Sequence, residues 1–309
     1  MKHSAVVLAL PLVVVFYVNS VVAASIRVIV DSQALEVPLY NSNRSITANG
    51  YGVDISHSFN EQWSISLGAQ YSDVNASQVS PLISIEAEQK DYHSDIHYFY
   101  QHYTFSLAYQ NINFELASKE ALDISQAQKL DKFTYFEEIN SQSIAVNISR
   151  DFDFDDFWLT LDMGAAHLSQ QASYDGRIVV NGANHQFFSR ELTDQSMSSW
   201  FASSLLSCST FWSWSQITFV PSMQLGFTHV VAGDDVYLLN TVSGSTRVSR
   251  RTRSQDQVRE PLTGNSATTL AAALTVFITD NFSMDVNVNR LYAGSNSANY
   301  VSIGFGWEF

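Results

Sequence analysis

Between Tyr300 and Phe309 the chain alternates without a break. Val301, Ile303, Phe305, Trp307 and Phe309 fall on one face of an extended backbone, and Ser302, Gly304, Gly306 and Glu308 on the other. The same period of two recurs upstream. Trp63, Ile65, Leu67, Ala69 and Tyr71 alternate with Ser64, Ser66, Gly68 and Gln70; Tyr103, Phe105, Leu107 and Tyr109 alternate with Thr104, Ser106, Ala108 and Gln110. Further runs lie at 157–166, 217–227 and 282–289. Such runs make strands with one oily and one wet face. Each covers about ten residues or more, the length a tilted strand needs to cross a bilayer; strands of soluble sandwiches are nearer five or six. Beyond the first residues no segment is apolar for long enough to be a transmembrane helix. A membrane role for the rest of the chain therefore falls to strands, and strands cross lipid only as a closed barrel.

Two further regularities support that class. Aromatic residues sit at the ends of the runs, at Tyr51 and Phe59, Trp63 and Tyr71, Tyr103 and Tyr109, Phe282 and Tyr292, where interfacial girdles are expected. Short links near Asn60-Glu61, Gln101-His102, Asp151–Asp156, Thr210–Trp214 and Asp280-Asn281 alternate with longer polar stretches at Asp73–Lys90, Ser118–Glu138, Gln170–Asp194, Ala232–Ser266 and Ala293–Asn299. Tight periplasmic turns and long extracellular loops produce that pattern. The run 51–59 leads into a short turn, so it descends, and a rising strand must precede it. Ile26–Val30, extending toward Leu35, is the candidate. With it the expectation is all-β, an antiparallel up-and-down transmembrane barrel of twelve strands with both ends in the periplasm.

Composition bounds the rest. The 309 residues carry a formal charge of −14, which argues against nucleic acid as a partner. The single cysteine, Cys208, permits no intramolecular disulfide. Lys2 and His3 precede an apolar run from Ser4 to Val18 and small residues at Val21-Val22-Ala23-Ala24-Ser25. That is the form of a cleavable export signal, residues 1–24, which leaves 25–309 as one barrel domain.

The segment NYVSIGFGWEF resembles the insertion signal of bacterial outer-membrane barrels, with Phe305, Trp307 and the terminal Phe309 in its aromatic positions. The hairpin before it, DNFSMDVNVNRLYAG, is similar to the end of the autotransporter translocator barrel. The resemblance implies a twelve-stranded barrel in the outer membrane of a Gram-negative bacterium, assembled by the barrel-assembly machinery through its C-terminal strand. It departs from the family in one respect. Only a couple of dozen residues separate the export signal from Tyr51, and they contain Pro38 and no helical period, so a barrel without a passenger is expected.

If the apolar face of each run meets lipid, Asp54, Gln70, His93, Asp95, His97, Gln110, Asn147, Asp162, Gln224, Asp285, Asn287, Asn289 and Glu308 face the lumen. No Lys or Arg of a clear strand core opposes the acids, so a water-filled lumen would favour cations. His93, Asp95 and His97 point the same way, but the two imidazoles are about 13 Å apart by strand rise, too far to share one metal ion. Lumen hydration competes there with a metal-binding, proton-sensitive or catalytic role. His57-Ser58 is the nearest approach to a catalytic pair, yet neighbours on a strand point to opposite faces and no nucleophile elbow is present. Neither catalytic residues nor a metal or cofactor is expected. Arg247, Arg250, Arg251, Arg253 and Arg259 concentrate positive charge in one long loop, which is either simply solvated or contacts the phosphates of lipopolysaccharide. A passive pore or structural membrane component leads over a surface adhesin or receptor and over an outer-membrane lipase or protease; oligomeric state and solute are open.

Overall fold

The alternating runs become long antiparallel strands, each hydrogen-bonded to its sequence neighbours. The computed structural model describes residues 24–38, 43–75, 83–121, 130–154, 157–180, 183–186, 195–234, 266–293 and 296–309. Fourteen strands form one sheet, and two of them are short: Ala183–Gln186 and Trp212–Trp214. The other twelve make the wall: β1 (Ala24–Pro38), β2 (Asn43–Ser58), β3 (Trp63–Asn75), β4 (Ile83–Tyr100), β5 (Tyr103–Ala121), β6 (Leu130–Asp153), β7 (Phe157–Val180), β8 (Gln195–Thr210), β9 (Ile217–Gly233), β10 (Ser266–Thr279), β11 (Phe282–Ala293) and β12 (Asn296–Glu308). β1 pairs with β12 from Ser25↔Glu308 to Gln33↔Tyr300, so the sheet closes and no edge remains. The first strand, read from only three alternating residues, is therefore the closing strand of the barrel. Two of the tight turns place a non-glycine residue at positive φ, Gln101 (56°) and Ser215 (58°), as short hairpin turns require.

Pairing fixes which face each residue occupies. Ile26, Val28 and Val30, Val53, Leu67, Leu107, Val146 and Ile303 are apolar yet exposed, from 37% to 57%. They form an outer band that meets lipid. Ring pairs bound it: Trp63–Tyr98 (centroids 4.7 Å), Phe282–Trp307 (5.8 Å) and Trp212–Phe219 (5.2 Å) on the side of the tight turns, and Tyr51–Tyr71 (5.5 Å) on the opposite side. From Trp63 to Tyr71 the chain rises roughly 25 Å, which matches the apolar band of a membrane barrel.

Beyond that outer girdle the hydrophobic phase inverts. On β5, Phe105, Leu107 and Tyr109 face out; then Ile112, Phe114 and Leu116 face in and are 0–2% exposed, with Asn111, Asn113 and Glu115 outside. β4 does the same with Ile85 and Ala87, β6 with Tyr135 and Ile139, β8 with Met197 and Phe201, β11 with Leu291. The cause is the solvent. Inside the bilayer the outer face must be apolar, whereas above it the same wall stands in water and must bury its apolar residues inward. The barrel thus has a membrane half with a polar interior and an outer half with a packed interior, in which these apolar residues are joined by buried Gln89, Ser118, Glu137, Ser141, Gln170 and Ser199.

This changes several expectations. Strands run 12 to 24 residues, so much of the polar stretches read as loops, such as Asp73–Lys90 and Ser118–Glu138, is strand above the membrane. Inside the stretch 170–194, Ala183–Gln186 turns back and pairs antiparallel with the end of β7, Arg177–Val180. The turn expected at Thr210–Trp214 lies later, at Ser215-Gln216, because Trp212–Trp214 pairs back on Ile217–Phe219. The interior of the outer half is filled by buried side chains, apolar and polar.

Candidate functional site in the barrel lumen

Inward positions of the membrane half carry Asp54, Gln70, His93, Asp95, His97, Gln110, Asn147, Asp162, Gln224, Asp285, Asn287 and Asn289, while Glu308 sits exposed at the periplasmic rim opposite Ser25. Within β12, β2 and β3 the inward face is also rich in glycine, and polar groups reach across it. Arg27 of β1 spans Gly304 of β12 to bind Asp285 of β11, with Nε 3.0 Å from Oδ1 and a second contact from its other arm. Gln70 of β3 spans β2 to donate to Asp31 of β1. His93 of β4 spans Gly68 of β3, its Nε2 3.3 Å from Oδ1 of Asp54 on β2. A Cβ at Gly68 would collide with both the imidazole and the carboxylate, and one at Gly304 with Asp285 and Arg27. Glycine is required here for close approach, so that groups two strands apart can touch.

Arg27 corrects the expectation that no cation opposes the lumen acids. It was overlooked because β1 alternates over so few residues. On the next strands Gln110 Nε2 donates to Asp91 at 2.7–2.9 Å, and Asn147 Nδ2 to Ser106 at 3.3 Å. Ser149 donates to Asp162 and Thr160 to Asp151 (2.6 Å).

Beside this network lies a chamber of about 500 Å³. His93, Asp95 and His97 of β4 line one side; Asn147, Asp151 and Asp162 of β6 and β7 line the other; Leu168, Phe201 and Leu205 form its apolar part. Among the described residues no lysine or arginine lines it. It reaches the periplasmic rim at Thr104, Asp151 and Thr160, the rows next to the tight turns. The volume falls in the range of small-molecule sites.

Other candidate residues are not drawn together. His57 packs edge-on against Phe59 (5.0 Å) on the outer face, whereas Ser58 turns the other way, opposite Ser64. Among the described residues no group of three His, Cys, Asp or Glu side chains could hold a metal ion. Arg247, Arg250, Arg251, Arg253 and Arg259 lie outside the described residues. Phe305, Trp307 and Phe309 stand exposed on the outer face of β12, and the amide of Phe309 donates to the carbonyl of Ala24 at 2.9 Å.

No protein-family model and no curated protein sequence matches the chain. Solved structures do. The translocator domain of the autotransporter NalP from Neisseria meningitidis superposes with a TM-score of 0.60 at 7% identity, covering 94% of this chain and 90% of that one. The β domain of the Bordetella autotransporter BrkA superposes with a TM-score of 0.55 at 11% identity, covering 93% and 100%. The fold is that of an autotransporter-type outer-membrane barrel. An apolar outer band between two aromatic girdles, closed without an edge, places this barrel in the bacterial outer membrane. At such low identity the likeness carries no site residue across.

Reading the sequence left out Arg27, Asp31, Asp91 and the apolar core of the outer half. One signal was available for the core. In TFSLAYQNINFELA, residues 104–117, the apolar residues shift from odd to even positions between Tyr109 and Ile112.

Proposed function

We propose that this barrel is a structural component of the outer membrane, closed toward the cell surface by its own side chains and open to the periplasm. One observation carries the reading: Ile85, Ile112, Phe114, Leu116 and Ile139 project inward from the adjacent strands β4 to β6, Leu291 projects inward from β11, and all are 0–2% exposed. With the equally buried Ser118, Glu137, Ser141 and Gln170 they fill the outer half, and an ion would have to displace packed side chains to pass. The refolded protein in a planar bilayer is expected to give no stable conductance. Ile112→Gly with Phe114→Gly should introduce a cation-preferring current while heat-modifiable mobility on a detergent gel is retained. A steady current from the unsubstituted barrel would overturn the reading in favour of a passive pore.

Three further elements belong to the same proposal. Residues 1–24 direct export and are removed. The C-terminal strand, with Phe305, Trp307 and Phe309, engages the barrel-assembly machinery. Arg247, Arg250, Arg251, Arg253 and Arg259 contact lipopolysaccharide phosphates, since planar guanidinium groups suit such anions. Replacing the five arginines with Gln should weaken co-purification of lipopolysaccharide; unchanged retention counts against the contact. A second use, contact with a partner at the cell surface, is favoured by the 24-residue strands β6 and β7, which carry the wall well past the outer girdle.

A further inference from the structure

We infer that the periplasm-facing chamber binds a small organic cation, an amine carrying a compact apolar body. The inference rests on the capped reading above, since a chamber closed at its outer end is a site and not a passage. Its permanent charge is one-sided. Asp95, Asp151 and Asp162 contribute carboxylates, yet among the described residues no lysine or arginine lines the space. The guanidinium that does enter the lumen, Arg27, is engaged by Asp285. Two imidazoles also line the space, His97 and His93; His93 Nε2 is held 3.3 Å from Oδ1 of Asp54. Confined carboxylates with low-dielectric walls focus a negative potential, which selects a cation from the periplasm.

The walls choose between kinds of cation. The described residues provide no cluster of acids able to coordinate a metal ion. Away from the acids the chamber is lined by Leu168, Phe201 and Leu205, which would hold a hydrocarbon group and would leave a hydrated ion without partners. An ammonium near Asp95 with its body against Phe201 satisfies both sides, and an aromatic ring adjoining a cation adds attraction.

The test uses the full refolded protein in detergent and three probes of one shape: benzylammonium, benzoate and benzyl alcohol, followed by titration calorimetry. Saturable binding of benzylammonium alone is expected, weakened at least tenfold in Asp95→Asn with Asp162→Asn. Glu115→Gln, a substitution on the outer wall, should leave binding unchanged. Equal binding of all three probes, or benzylammonium binding indifferent to the double substitution, would overturn the inference, as would no saturable binding. Conductance separates the two readings. A silent barrel that ignores benzylammonium sinks the site alone, whereas a conducting barrel sinks the cap on which the site depends.

Discussion

Phe105 and Phe114 lie on one strand, nine positions apart in sequence, and the phase inversion puts them on opposite faces. Phe114 is 2% exposed inside the outer half; Phe105 is 43% exposed on the lipid face. Truncating each to alanine removes the same atoms, so the two substitutions isolate what surrounds the ring. At Phe114 the loss combines transfer free energy with a cavity that the closed wall cannot collapse around, about 3–5 kcal/mol. At Phe105 lipid chains flow into the gap, so only the transfer part remains, about 1.5–3 kcal/mol. The expected order is Phe114→Ala worse than Phe105→Ala by about 1.5–2 kcal/mol, a tenfold or greater shift in the unfolding equilibrium. Reversible urea unfolding of the barrel in lipid vesicles, followed by tryptophan fluorescence, reads both. A third variant sharpens the test. Were the outer lumen wet, Phe114→Asn would be neutral; in a packed core it leaves an amide to be desolvated without a designed partner and costs at least as much as alanine. Phe105→Ala as costly as Phe114→Ala, together with a neutral Phe114→Asn, would refute the two-half architecture.

The network across the glycines gives a coupled prediction. Gly68→Ala should overpack against His93 and Asp54 and cost about 1–3 kcal/mol, and His93→Ala in the same chain should recover much of it; additive effects would mean the glycine is not there for this contact. Arg27 and Asp285 are 39% and 13% exposed, between the surface and buried limits. Replacing Arg27 with Gln should therefore cost about 1–2 kcal/mol, and a double-substitution cycle with Asp285→Asn that returns no coupling energy would contradict the clasp. On the outer wall Asp73↔Glu88, Glu88↔Glu115 and Glu115↔Glu138 are direct cross-strand pairs, so four carboxylates stand in one row across β3 to β6. Glu115→Gln should stabilise the barrel by about 0.2–1 kcal/mol at low salt, with the gain fading at high ionic strength; a salt-independent effect would rule out repulsion as its origin. At the tight turn, Gln101→Gly relieves a positive φ and is expected to raise stability by a few tenths to about 1 kcal/mol in the same unfolding assay.

What could be read directly was whatever depends on local period. Alternation at Trp63–Tyr71, Tyr103–Tyr109 and Val301–Phe309 is a property of neighbouring residues, so strand positions and the lipid-facing set were legible, and loop parity required a strand before Tyr51. The twelve-strand count followed from it. The same local logic misled above the membrane, where Asp73–Lys90 and Ser118–Glu138 look like loops though much of each is strand, because alternation alone does not say which solvent lies outside. It also hid Arg27, whose partner Asp285 is 258 residues away along the chain.

By itself, then, the sequence determined that this chain is a lipid-facing barrel and roughly which side chains turn inward, because strand period and interface chemistry are set residue by residue. Only the tertiary structure decided that the lumen is divided. Closure of β1 on β12 brings Arg27 over Gly304 to Asp285, and register sets Ile85, Phe114 and Ile139 on the inward face of adjacent strands, buried together with Glu137 and Gln170. Packing across a lumen depends on residues far apart in the chain meeting at one height, and that is a matter of register, which no single strand contains.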